Sequence, residues 1–163
     1  MSAIDTYLGN NAKYAAGFSK GSLPMPPAKE IAIVTCMDAR LETGALLALE
    51  EGDAHVIRNA GGVVTDDVIR SLTISQRLLG TREIMLIHHT DCGMLTFTDA
   101  ELKESIQTET GIRPAFAMEA FSNLEDDVRQ SIARIEASPF VPEKGAIRGF
   151  VYQVESGRLR EVK

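Results

Sequence analysis

Two short runs of apolar, mostly β-branched residues stand out along the chain, Ile31-Ala32-Ile33-Val34-Thr35 and Ile84-Met85-Leu86-Ile87. Neither alternates with polar residues, which is the pattern of a strand covered on both faces. Between and around them the apolar positions fall at helical spacing. Tyr7, Leu8, Tyr14 and Phe18, with Ala15 between the last two, predict an amphipathic helix ahead of the first strand. Residues 21–27, which include Pro24, Pro26 and Pro27, predict a rigid extended connector. After the first strand the pattern gives a short helix at about 44–51 stopped by Gly52, then a strand at about 55–58. A longer helix follows, with Thr65 as cap, Val68, Ile69, Leu72 and Leu79 on the buried face, and Gly80 as the stop.

Beyond residue 92 the chain is helical for longer. Thr98 with Glu101 and Ser122 with Glu125 both match a capping box, and the second opens a helix whose apolar face is Leu124, Val128, Ile132 and Ile135. Pro139 and Pro142 end it. A strand at about 146–154, a turn at Glu155-Ser156-Gly157-Arg158 and a return through 159–162 predict a short C-terminal hairpin. The alternation is that of an α/β fold, a mostly parallel central sheet wrapped by helices. At 163 residues the chain buries roughly 70% of its unfolded surface. One catalytic domain over 1–163 is expected, with 1–27 as a helical arm and connector.

Charge and composition remove several classes of function. A net charge of −6 argues against nucleic acid, whose phosphates require a basic face. No 18-residue apolar run, secretory leader or lipidation motif is visible, so no membrane role is expected and the chain reads as cytoplasmic. In that compartment thiols stay reduced and free for metal.

The chemistry sits where the two apolar runs stop. Cys36-Met37-Asp38-Ala39-Arg40 follows the first, and His88-His89-Thr90-Asp91-Cys92-Gly93 ends the second. If these strands are parallel neighbours, their carboxyl ends lie side by side, where open α/β sheets collect ligands. Cys36 and His89, 53 positions apart, then meet, and a turn brings in Cys92. Three Cys/His ligands with an open fourth position are the mark of a catalytic zinc site, because structural sites close with four. Both of the chain's cysteines are used. There is no C-x-x-C, which sets aside disulfide exchange. His88 reads as a packed neighbour of the site, His55 as a strand residue, and Asp91 as a solvated turn carboxylate or local cap without a catalytic role.

Two thiolates cancel the formal charge of Zn²⁺, so such a site acidifies its water less than an all-histidine one, where the bound-water pKa is about 7. A nearby acceptor compensates. Asp38 can take the hydrogen of zinc-bound hydroxide while Arg40 offers bidentate donors that keep the carboxylate ionised and oriented.

The C-x-D-x-R and H-x-x-C pair, with His-His-Thr-Asp-Cys-Gly-Met over 88–94, resembles the β-class carbonic anhydrases and their compact bacterial branch. The resemblance is strong over 31–94 and extends to the rest in layout. Arg58-Asn59-Ala60-Gly61 is similar to the glycine-containing loop those enzymes place beside the metal. It implies Zn²⁺ held by Cys36, His89 and Cys92, with Asp38 beside the zinc-bound water and Arg40 keeping Asp38 off the metal. The implied activity is that of a lyase, the reversible hydration of carbon dioxide to bicarbonate and a proton. A homodimer or multiple of one is also implied, with the N-terminal helix reaching over the neighbour. Relatives of the same scaffold hydrolyse carbonyl sulfide or carbon disulfide, and the motif does not separate them. A non-enzymatic zinc-binding protein is the alternative of another class, and a fourth cysteine or histidine beside the site is what it lacks.

Overall fold

A computed structural model describes residues 2–163. Five strands form one sheet in the order β2-β1-β3-β4-β5. They are β1 (Ile31–Cys36), β2 (Ala54–Asn59), β3 (Glu83–His89), β4 (Ile147–Gln153) and β5 (Arg158–Val162). The first four are parallel, and β5 returns antiparallel to β4. The expected parallel sheet, helical wrapping and C-terminal hairpin are all present.

The two apolar runs are the neighbouring strands β1 and β3, with Ile33 opposite Met85 and Thr35 opposite Ile87. Their side chains divide by parity between two cores. Ala32, Val34, Ile84 and Leu86 join Val64, Val68, Leu72 and Ile135 on one face. Ile33 and Ile87 join Leu41, Cys92 and Met94 on the other, and Cys36, the last residue of its strand, breaks the alternation to join them. The first core lies under α3 (Asp66–Leu79) and α5 (Leu124–Ala137). Helix α5 lies close on β4, where a Cβ at Gly149 would meet Val128 Cγ1.

Local signals set most of the helix ends. Thr65 Oγ1 accepts from Val68 N at 3.4 Å, and Gly80 closes α3 in the left-handed region at φ 75°. Helix α4 (Asp99–Thr110) carries the Thr98–Glu101 capping box. Helix α2 is shorter than expected, Thr43–Leu47, because Ala48 turns left-handed at φ 52° and bonds back to Ala45 and Gly44. The expected box at Ser122 and Glu125 does not form. Asn123 caps α5 instead, its carboxamide oxygen accepting from Glu125 N at 3.0 Å and Asp126 N at 3.2 Å. Asparagine has an acceptor at the reach of serine's, and here it stands at the residue where the chain is still extended.

Helix α1 spans Ala3–Ala16, ending before Phe18, and none of its residues is buried. The segment 21–27 is a series of turns and bends rather than an extended rod. Among the described residues no helix is long and apolar enough to cross a membrane.

Candidate metal centre

Cys36 is the last residue of β1 and His89 the last of β3. Because the two strands are hydrogen-bonded neighbours, strand pairing alone brings these side chains to one end of the sheet. Cys92 enters through the turn that follows and precedes a 3-10 turn at Gly93–Leu95. One ligand atom from each of Cys36, His89 and Cys92 lies within 4.8 Å of the other two, and all three residues are buried.

Hydrogen bonding fixes the tautomer of His89. Its Nδ1 lies 2.8 Å from the Thr90 carbonyl, which can only accept, so Nδ1 carries the hydrogen. Nε2 is then a bare acceptor, buried and without a partner. A buried polar atom with nothing to bond is costly, and a cation facing it satisfies it. The sulfurs point to the same conclusion. Cys36 is pushed down to about 4 by a hydrogen bond from Cys92, against the opposing effect of burial, with further help from the backbone N–H groups of Asp38 and Gly61. Cys92 is pushed up by the same interaction with Cys36 and by burial. Two thiols this close resist ionising together, whereas a cation between them favours both thiolates. Two sulfurs and one imidazole nitrogen form a donor set that suits zinc.

Asp38 and Arg40 lie in the loop after β1, beside this cluster. The Arg40 guanidinium grips the carboxylate at both oxygens, Nε to Oδ1 at 3.0 Å and Nη2 to Oδ2 at 2.8 Å. The backbone N–H of Arg40 adds a bond to Oδ1 at 2.9 Å. Arg40's side chain, then its backbone N–H, holds the Asp38 carboxyl well below the usual carboxylate range. With both oxygens held by Arg40, Oδ2 still lies 3.8 Å from His89 Nε2, close to the cluster. A mostly apolar cavity of about 340 Å³ opens onto Cys36, Asp38 and Cys92, with Gly61, Met94 and Phe97 in its wall.

Several residues that shape this site carry no legible signal of that role in the sequence. Arg58 donates from Nε to the Cys36 carbonyl at 3.0 Å and from Nη2 to the Asp38 carbonyl at 2.8 Å, pinning the loop that carries both. Gly62, at φ 71°, presses against β1, where a Cβ would come 2.9 Å from Cys36 N. Asp91, expected to be a solvated turn carboxylate or a local cap, accepts from Arg40 across the loops, Nη1 to Oδ2 at 2.7 Å. The Gly-Gly pair and the arginine beside it were visible as a loop, but their targets are backbone atoms far away in sequence. His88 is packed as expected, fully buried with Nε2 2.7 Å from Asp127 Oδ2 on α5. His55 is in β2 and bonds Ser75 Oγ at 2.8 Å.

Sheet order, the cysteine–histidine–cysteine cluster at the strand ends and the adjoining carboxylate–arginine pair fit a metal-dependent α/β enzyme class. Residues 31–159 match the carbonic anhydrase family. The chain belongs to that family, in its β class. It is 64% identical over 162 residues to β-carbonic anhydrase 1 of Mycobacterium tuberculosis, covering 99% of both chains. The crystal structure of a carbonic anhydrase from Streptococcus mutans superposes with a TM-score of 0.94 at 46% identity, covering 100% of this chain and 99% of the other. A carbon disulfide hydrolase of an Acidianus strain is 33% identical, covering 97% of this chain and 88% of its own.

Proposed function

We infer that this chain is a zinc-dependent carbonic anhydrase that interconverts carbon dioxide with bicarbonate and a proton. The observation that carries the reading is the meeting of three N/S donors, one of them a buried imidazole nitrogen without a partner, beside a carboxylate whose ionised form Arg40 stabilises. Cys36, His89 and Cys92 would hold the zinc. When bound, zinc would acidify a water at its fourth position and so supply the nucleophile. Asp38 stands where its carboxylate would accept a hydrogen bond from that nucleophile and so orient it toward the substrate. Arg40 fixes the direction of the carboxylate and keeps it from taking the proton itself. The apolar walls formed by Met94 and Phe97 suit an uncharged substrate without a dipole and keep bulk water away from it.

Carbon dioxide is favoured over carbon disulfide because the carbonic anhydrase relative is 64% identical and the disulfide hydrolase 33%. A purely zinc-storing protein would have no use for the open cavity or for the Asp38–Arg40 pair. Stopped-flow turnover of carbon dioxide and of carbonyl sulfide on one zinc-verified preparation tests the assignment. A higher kcat/KM for carbonyl sulfide reverses it. Cys36→Ser, His89→Ala and Cys92→Ser should each lose zinc and activity, and full retention of both in all three variants removes the ligand assignment.

The same reading includes a homodimer or a multiple of one. Helix α1 exposes Ile4, Tyr7 and Leu8 at 70, 69 and 64%. Within its own subunit the helix makes a polar contact through Tyr14, whose Oη donates to Glu51 Oε1 at 2.5 Å. A second subunit would cover that apolar surface. Light scattering on protein lacking residues 1–20 should reveal weakened association, and an unchanged assembly counts against this role of the arm.

A further inference from the structure

We propose that Asp91 is a positioning residue of the Asp38–Arg40 pair, acting through the Arg40 guanidinium to set how the pair faces His89 and Cys92. The inference rests on the roles given above to Asp38 and Arg40. Those two residues form a closed unit within one loop, joined by two side-chain bonds and one backbone bond. The unit's internal bonds do not determine how it faces His89 and Cys92. Asp91 lies between those two residues in the chain, and it reaches across to Arg40 with two acceptors at once. Its Oδ2 takes Arg40 Nη1 at 2.7 Å and its carbonyl takes Nη2 at 2.9 Å. The guanidinium is thus gripped from both sides, by Asp38 from the β1 loop and by Asp91 from the β3 loop.

The backbone of Asp91 favours an orienting role. It sits at φ 54°, the left-handed region, which glycine occupies most easily and aspartate tolerates at some cost. Glycine there would hold the turn but offer no carboxylate. The left-handed turn aims both the carbonyl and the carboxylate of one residue at one guanidinium. Nor does the pair make an effective anchor for the fold, because the Arg40 and Asp91 side chains are 47 and 72% exposed. Ion pairs that wet contribute little to stability. What the contact supplies is direction: with Arg40 held from the far loop, Asp38 keeps its place at the mouth of the cavity.

The test compares Asp91→Asn and Asp91→Gly in zinc-loaded protein, each in the wild-type and in an Arg40→Ala background. Both replacements accept the left-handed backbone, so the turn survives while the charge is lost. Turnover of carbon dioxide should fall about two- to fivefold in each, with zinc content unchanged. In the Arg40→Ala background neither should lower turnover further. A second measurement is independent of activity. Solvent exchange of the Arg40 Nε–H, followed by nitrogen-15 NMR, should quicken severalfold once Nη1 loses its partner. Equal losses in both backgrounds would mean that Asp91 acts on the turn and not through Arg40, and would overturn the proposal. So would wild-type turnover and exchange in both Asp91 variants while Arg40→Ala is impaired. If Asp38→Asn and Arg40→Ala themselves keep full turnover, the roles of the pair fail, and the proposal with them.

Discussion

Gly62 gives the sharpest quantitative test of how the fold holds the site. A methyl at its Cβ position would lie 2.9 Å from Cys36 N, 3.0 Å from the Thr35 carbonyl carbon and 3.3 Å from Ile87 O. All three are backbone atoms of β1 and β3, so no side chain can swing aside to relieve the contact. Gly80 supplies the control, because its φ of 75° is nearly the same as the 71° of Gly62 but nothing lies within 4 Å of its Cβ position. Gly80→Ala therefore isolates the left-handed penalty, about 1 kcal/mol. Gly62→Ala adds overpacking against strand backbone, for a total of about 3 kcal/mol. For a chain of this size each kcal/mol moves Tm by about 2–4 °C, so the expected losses are about 2–4 °C for Gly80→Ala and about 6–12 °C for Gly62→Ala. Calorimetry at fixed zinc and protein concentration measures both, since ligand and association shift Tm by mass action. The backbone of Cys36 must move in Gly62→Ala, so zinc should also transfer to a chelator faster from that variant alone. Equal Tm shifts for the two variants, with equal zinc transfer, would refute the idea that this close approach supports the centre.

Asp38→Asn keeps the shape but loses the ionised acceptor, and turnover should fall about 100-fold or more with zinc retained, the range for a positioned acid–base group; wild-type turnover excludes the role. Arg40 depresses the carboxyl pKa of Asp38 below its ordinary 3.8, so the pair's contribution to stability is complete above that pH and is lost as pH falls through the lower folded-state value. A carbon-13 titration of the Asp38 carboxyl should therefore show a midpoint below 3.8 that climbs in Arg40→Ala, and a wild-type midpoint at or above 3.8 contradicts the pairing. Asp127→Ala strips the buried His88 Nε2 of its 2.7 Å partner, and urea denaturation should register a loss of about 1–3 kcal/mol. Asp127→Asn should recover part of that loss, and a neutral Asp127→Ala would mean that the bond does not stabilise the fold.

The sheet and the meeting of Cys36, His89 and Cys92 were readable from sequence for a common reason. Unbroken apolar runs mark strands buried on both faces, and the reactive residues stand where those runs end, so one inference about strand adjacency places Cys36 against His89. Capping chemistry was readable where a single local pattern competes with nothing else, as at Thr65 and Thr98. At α5 two adjacent residues could both cap, and the dihedral angles of the chain decided for Asn123 over Ser122. The contacts of Arg58, Gly62 and Asp91 stayed hidden because each acts on atoms 20 or more residues away: two backbone carbonyls, a strand backbone and a guanidinium. Nothing in their neighbours along the chain records those targets. Asp91 is instructive, since its type and position suit a solvated turn and only the arrival of Arg40 from another loop gives it a partner.

Consecutive residues on β3 point to opposite faces of the sheet, and the chain uses both. His89 faces the cluster with Cys36 and Cys92, while His88 is held by Asp127 of α5 on the other side. The last two positions of one strand thus serve as a rivet through the sheet, one end in the chemistry and the other in the helical layer. The position of the imidazole at the centre is inherited from strand pairing and from a helix that never meets substrate. The cavity walls at Met94 and Phe97 come instead from the segment after the strand. Met94 and Phe97 are not donors themselves, so variation at those two positions can reshape what enters the site while Cys36 and His89 keep the places that strand pairing gives them; Cys92, in the same segment, has no such independence.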